Sequence, residues 1–330
     1  MTRVERLPDE RCWSLFGLHV TSPHRFRNRL GASERAPDLY FRPVDASPIG
    51  AGWRATAPAY RSPLKIDDEQ HVLDIVITPR GTVFHFSEVV DFYVLDDGVA
   101  YVLLDPAYAH MVELHFLGYV MSYWLERAGW LALHASAVVS HGHAIGFLSN
   151  HGGGKTSLAA TLIAHGLPLL TDDILAVRRA GPEVVGLPGY PQMRMWPELA
   201  RHFLGHDDLE IVHPGLTKRR VPVGDGAFGS FDAVARELAV LYIPQRREDG
   251  PVEITDLSPG VALFELVRHT FLHGVVQNSE LSQRRLEALG AIAERIPIRT
   301  LTYPSGLERL PEVARLVLLD ADRHGSPAAS

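Results

Sequence analysis

Only one cysteine, Cys12, occurs in the 330 residues, so a disulfide framework within the chain is excluded. A lone cysteine suits a reducing cytoplasm, where we expect this protein to work. Long apolar runs are also missing. No stretch of about 18 apolar residues is present, so no membrane-spanning helix is expected. The first twenty residues, MTRVERLPDERCWSLFGLHV, lack the unbroken apolar core that a signal peptide needs. Positive charge is not in excess: 32 Lys and Arg stand against 39 Asp and Glu, a formal net charge of -7. No nucleic-acid partner is therefore expected, and the acidic balance argues against binding an anionic membrane. No internal repeat or low-complexity tract appears, and the lack of a G-x-S-x-G elbow argues against a Ser-His-Asp hydrolase. What remains is 46% hydrophobic and 22% charged, the composition of a globular chain long enough for a sizeable core and two domains.

The pattern along the chain changes once. Residues 1–105 read as a β-rich module. HVLDIVITPRGTVFHF alternates and turns at Pro79-Arg80-Gly81, and VAYVLLDP reads as a further strand. From Tyr108 to Ala128 the spacing of Leu114, Leu117, Met121, Trp124 and Leu125 is helical, with Gly129 as the stop. LALHASAVVSHGHAIGFLS then predicts two strands joined at His141-Gly142. KTSLAATLIAHG predicts a short helix closed by Gly166, and LPLLTDDILAVRR one buried strand carrying Asp172 and Asp173. Amphipathic helices are expected from Ser258 and from Ser282, the two serines acting as N-caps. The division expected is 1–105, 106–320 and a flexible tail over 321–330.

From the strand Ala144–Leu148 into the first turn of the helix run Ser149, Asn150, His151, Gly152, Gly153, Gly154, Lys155, Thr156 and Ser157. Such a loop holds phosphate because successive backbone N–H groups point inward at a helix N-terminus. Glycines permit the φ angles this needs. A lysine reaches the β- and γ-phosphates, and a Ser/Thr hydroxyl holds magnesium. The pattern G-x-x-x-x-G-K-[ST] is met except at its first position, where Ser149 stands for glycine. A carboxylate at the end of a buried strand beside such a loop suits a metal ligand or a base, so Asp172 and Asp173 join the candidate site. ATP and Mg²⁺ are the expected cofactors.

Other residues carry weaker signals. Lys218, Arg219 and Arg220 lie in a Gly-flanked stretch read as a loop, and two readings stay open: cations that clamp the transferring phosphate, or a solvated basic turn. Arg194 in QMRMW reads as a surface arginine with its stem on Trp196, with a phosphate contact as the alternative. His141-x-His143, with His134 and His151 nearby, raises a metal site, but no third ligand with zinc spacing appears.

The succession LHASAVV, a hairpin, GGGKTS, a helix and AHGLPLLTDD resembles the catalytic domain of the HPr kinase/phosphorylase family. Within it, the chain is most similar to HPr-kinase-like proteins that include kinases of lasso-peptide precursors. The later GYPQMRMWPE, KRRVPV and TYPSGLERLPEV are similar too. The resemblance is strong over Leu131 to Asp173, looser to about residue 320, and absent from 1–105. It implies an α/β P-loop kinase domain of the HPr kinase/phosphoenolpyruvate carboxykinase type. It implies ATP- and Mg²⁺-dependent transfer of phosphate to a serine hydroxyl of a peptide or small protein, and assembly into a homo-oligomer. By the same resemblance, Gly152 to Thr156 with Lys155 bind the triphosphate, Asp172 is the base, Thr156 and Asp173 hold the metal, and His134 sits beside the catalytic aspartate. Which aspartate has which role stays open. Ser157 and Leu158 stand where bifunctional members carry a glutamate, which puts phosphorylase activity and HPr itself in doubt. A small-molecule kinase of the same fold, a nucleotide-sensing module without transfer and a hydrolase remain as rivals.

Overall fold

The computed structural model describes residues 5–68, 70–149, 152–213, 216–272 and 280–325. The fold is mixed α/β with two large sheets. The described residues fall into two compact units, divided between Trp124 and Leu125.

The first unit is built on nine strands: β1 (Arg11–Leu15), β2 (Leu18–Ser22), β3 (Gly31–Ala32), β4 (Leu39–Pro43), β5 (Tyr60–Arg61), β6 (Leu73–Thr78), β7 (Gly81–Phe86), β8 (Val90–Val94) and β9 (Gly98–Leu103). They form one sheet in the order β3-β1-β2-β4-β9-β8-β7-β6-β5. The β6–β7 hairpin turns where Pro79-Arg80-Gly81 predicts it. β8 is buried at all five positions, because the sheet is covered on both sides there. One cover is the cluster of Trp53, Val76, Val83, Tyr93 and Ala100. The other is α1 (Ala109–His115), which runs through a π-helical turn at Phe116–Val120 into α2 (Met121–Arg127). Phe116 stacks on Phe41 at 3.7 Å and His115 on Phe86 at 3.7 Å. These contacts draw the helical segment as far as Trp124 into the first unit, beyond the division expected at 105/106.

The second unit contains β10 (Leu131–Leu133), β11 (Ala135–Ser140), β12 (His143–Leu148), α3 (Lys155–Ala164), β13 (Leu169–Thr171), β14 (Leu175–Ala180) and β15 (Glu183–Leu187). There follow β16 (Gln192–Met195), α4 (Pro197–Leu204), β17 (Ile211–His213), β18 (Leu216–Pro222), β19 (Arg236–Arg247), β20 (Glu253–Asp256), α5 (Pro259–Arg268), α6 (Glu280–Arg295), β21 (Ile298–Pro304) and α7 (Leu310–Gly325). The main sheet runs β10-β14-β15-β19-β12-β11-β13, with β21 on β19 and β20 on β21. β12, β19 and β21 are parallel neighbours, so their carboxyl ends lie on one edge. One face packs under α3, α4 and α7, the other under α5 and α6. β16, β17 and β18 form a separate antiparallel sheet.

Four expectations need correction. LPLLTDDILAVRR is two strands, β13 and β14, because Asp173 takes φ +75° and breaks the run. Lys218, Arg219 and Arg220 lie on β18, paired with β16, and not in a loop. Ser282 lies inside α6, which begins at Glu280. The tail expected over 321–330 starts within α7, where Ala321 is packed in the core; residues 326–330 lie outside the described part.

Candidate functional site

The site forms where chain direction and strand pairing converge. β12 carries the chain out of the sheet at Leu148 and into the glycines. Gly152 has φ +79° and Gly154 φ +98°, and Gly154 is the N-cap of α3. Behind this turn the Ala/Leu-rich α3 is buried nearly all round, which fixes its N-terminus in place. β13 runs parallel to β12, two places across the sheet, so Asp172 and Asp173 emerge on the same edge. β11 runs the opposite way and starts there, bringing His134 and Ser136 alongside.

Lys155 is 7% exposed, and its Nζ donates to His134 Nε2 at 2.9 Å. Burial lowers the Lys155 pKa, with Asp173 and Asp172 opposing the shift. His134 Nδ1 lies 3.0 Å from the Asp173 carbonyl. A carbonyl only accepts and an ammonium only donates, so His134 is neutral with its proton on Nδ1. Burial lowers its pKa in agreement, against the pull of Asp173.

The two aspartates have different partners. Asp172 Oδ1 accepts from Ser136 Oγ at 2.6 Å and from Thr156 Oγ1 at 3.3 Å, and Oδ2 accepts from the Arg194 backbone N–H at 2.9 Å. Asp173 Oδ2 accepts from Arg194 Nη1 at 2.9 Å, and Oδ1 lies 3.6 Å from His134 Nδ1. Burial pushes the Asp173 carboxyl up, but the cations around it, Arg194 foremost with Lys155 and Lys218, hold it down at about 2. Arg194 stays charged in spite of its burial, through Tyr190, Asp173 and Asp172. It is therefore an internal ion-pair residue and not the surface arginine expected. Lys218, not Arg194, lies over the Trp196 ring, at 5.3 Å.

The structure thus brings Lys155, Thr156, His134, Asp172, Asp173 and, through its charge, Lys218 together. Arg219 is turned elsewhere: its Nε donates to the Asp207 carbonyl at 2.8 Å and its Nη1 to the Thr217 carbonyl at 2.8 Å. Ser157 lies in the first turn of α3, where its carbonyl accepts from Thr161 Oγ1. Ser149 is buried, and its hydroxyl has no partner among the described residues. Asn150 and His151 lie outside the described residues. Thr156 meets Asp172, whereas the metal pair expected was Thr156 with Asp173. Thr156 Oγ1 and Asp172 Oδ1 are hard oxygens of the kind Mg²⁺ accepts. His141 and His143 face different carboxylates, Asp322 at 3.1 Å and Glu237 at 3.8 Å, and the described residues hold no cluster of three metal-ligating side chains.

Two residues escaped the sequence reading. Arg246, at the end of β19, donates from Nη2 to the Gly152 carbonyl at 2.5 Å. Its register partner Tyr303, at the end of β21, puts its hydroxyl 2.5 Å from where a Cβ on Gly154 would stand. The signal available was position alone: QRR and TYP close two apolar strands.

No helix among the described residues is long and apolar enough to cross a membrane. No protein-family model and no curated protein matches the chain. Among solved structures it is similar to the Hpr(Ser) kinase/phosphatase from Coxiella burnetii, at 13% identity, over 58% of this chain and 95% of that one, with a TM-score of 0.30. A TM-score that low adds no weight to any reading of the fold or the site.

Proposed function

We propose that the second unit is an ATP- and Mg²⁺-dependent phosphotransferase of the HPr-kinase-like kind, and that its acceptor is a serine hydroxyl of a peptide or small protein. The observation that supports it most is the convergence of Lys155, Thr156, His134 and two aspartates on a glycine turn at a helix N-terminus. The backbone N–H groups of Gly152 to Thr156 receive the triphosphate. Lys155 exchanges its His134 contact for phosphate oxygens. A buried ammonium gains most from an anion, since water does not compete for it. Thr156 would hold Mg²⁺, which when bound neutralises phosphate charge. Asp173, held near 2, is too weak a base to take a proton at neutral pH, and it acts through its charge on Lys155 and His134. Proton acceptance then falls to Asp172, which also lies beside Thr156. Most of the acceleration comes from positioning and electrostatics.

The test is labelled-ATP transfer with Mg²⁺ by the full chain against candidate peptides. Label is expected on a peptide serine with the unaltered chain and on none with Asp172→Asn. Tight nucleotide binding with no label on any peptide would sink the peptide-kinase reading and favour a sensor or a small-molecule kinase.

A further inference from the structure

Two arginines close β19, and as strand neighbours they point to opposite faces. Arg247 is committed to the fold: its Nη2 donates to the Pro251 carbonyl and, at 3.3 Å, to Glu253 Oε1. Arg246 reaches the glycine turn instead. Its Cδ lies 4.0 Å from where a Cβ on Gly154 would stand, and its Nη2 donates to the Gly152 carbonyl at 2.5 Å. That bond uses one of five N–H groups. The others have no partner among the described residues, and neither Glu248 nor Asp249, which follow Arg247 in the chain, pairs with the guanidinium. β12 has β19 on one side and β11, then β13, on the other. The turn after β12 is therefore flanked by Asp172 and Asp173 on one side and by Arg246 on the other. An anion seated on the turn has carboxylates on the first side, and on the second an uncompensated guanidinium.

We propose that Arg246 is a further ligand of the nucleotide's phosphate chain, one that keeps the Gly152 carbonyl on Nη2 and gives its remaining N–H groups to phosphate oxygens. This rests on the nucleotide reading of the site and adds to it a residue from outside the glycine turn. The planar fork of an arginine suits both tasks at once, because its donors are fixed in one plane and point to different partners. Arg246 is exposed, so water competes for it, and its share of the binding is smaller than that of the buried Lys155. The contact is to phosphate, so it discriminates by the number of phosphates and not by the base.

The experiment uses the full chain, a fluorescent ATP analogue read by anisotropy, and inorganic triphosphate as its competitor. Arg246→Ala should weaken both about tenfold or more, and by the same factor, because the phosphates carry the contact and the base does not. Arg247→Ala, whose lost partners are Pro251 and Glu253, removes a neighbouring charge and should change neither affinity. Two further variants separate phosphate contact from the shape of the turn. Arg246→Lys keeps the charge and should recover part of the affinity. Arg246→Gln can still donate to the Gly152 carbonyl but carries no charge, and should recover none. Full recovery by Arg246→Gln, or an unchanged triphosphate affinity in Arg246→Ala, overturns the proposal while leaving the nucleotide site standing. Binding of neither probe by the unaltered chain overturns the underlying reading, and the proposal with it.

Discussion

Both units bury carboxylates that staple the fold, Glu126 with Arg285 and Asp320 with Tyr242 and Arg299 in the second, but the pair at the glycine turn of the second unit is used differently. In the first unit Glu10, Asp91 and Glu113 are each at most 2% exposed. Glu113 accepts the backbone N–H groups of Arg27 at 2.7 Å and Asn28 at 2.6 Å, and also the Asn28 side-chain amide. Asp91 is held by His85 at 2.5 Å, Arg54 at 2.9 Å and Tyr93 at 3.3 Å. Glu10 takes Leu7, Thr21 and Arg42. These carboxylates tie loops to the sheet. In the second unit Asp172 and Asp173 hold the groups that a phosphate or a metal would also take: Thr156, His134 and, through charge, Lys155. A buried carboxylate whose partners are committed to the fold stabilises it. One whose partners are exchangeable marks a site. The residue type alone does not distinguish the two.

Substitutions on either side should break this contrast in opposite ways. Lys155→Ala is expected to have the largest effect: loss of phosphotransfer by about 10³-fold, on the order of 4 kcal/mol in the barrier. Its denaturation midpoint should stay unchanged or rise, since removing a buried ammonium relieves a desolvation cost. Near-normal transfer by that variant would remove the phosphate-loop assignment. Glu113→Ala should do the reverse. It strands buried donors at about 1–3 kcal/mol each, so chemical denaturation should show a loss of roughly 3 kcal/mol, with nucleotide affinity intact. A stable Glu113→Ala protein would mean that the loop at Arg27–Asn28 opens to water, and that the first unit's carboxylates are not staples.

Acid sharpens the comparison further. The folded pKa of Asp173 is about 2, below the unfolded value of about 3.9. A depressed carboxyl contributes stability that is fully present above pH 4 and is lost as the pH falls through 2. The window is therefore about pH 4 to 2, and the size on the order of 2 kcal/mol. Asp173→Asn should flatten that part of the stability–pH curve. An identical acid limb in wild type and variant would show that Arg194 does not hold the charge as the geometry indicates.

Much of this was legible in the sequence, for definable reasons. The hairpin at Pro79-Arg80-Gly81, the turn at His141-Gly142 and the Ala/Leu helix after the glycines are local features, written in φ requirements and periodicity. Gly152 to Thr156 with Asp172 and Asp173 was legible because strand, turn and helix follow one another directly in the chain. What escaped was non-local. Arg194 reads as a surface residue because QMRMW shows nothing of the carboxylate it meets across 21 positions. Lys218, Arg219 and Arg220 read as a loop because a strand of charged residues breaks the usual alternation, and only the pairing of β18 with β16 reveals it. That pairing also separates Lys218, over Trp196, from Arg219, which turns to Asp207. Arg246 and Tyr303 are distant in sequence and meet only because β19 and β21 are parallel neighbours.

That last pair supports the smallest prediction. Gly154 combines φ +98° with a Tyr303 hydroxyl 2.5 Å from the position of a Cβ, and Tyr303 is 1% exposed, so its ring cannot swing into solvent. Gly154→Ala should therefore cost about 1–3 kcal/mol from backbone strain, with the contact added. Tyr303→Phe removes the atom the new methyl meets. In a double-mutant cycle the two substitutions should couple by about 1 kcal/mol, the double variant being more stable than the sum of the singles implies. Simple additivity would place the whole cost in φ and would free Tyr303 from any part in shaping the loop. Coupling would show that the turn is shaped from β21 as well as from its own glycines. The glycine turn would then, like the staples of the first unit, owe part of its form to residues far away in the chain.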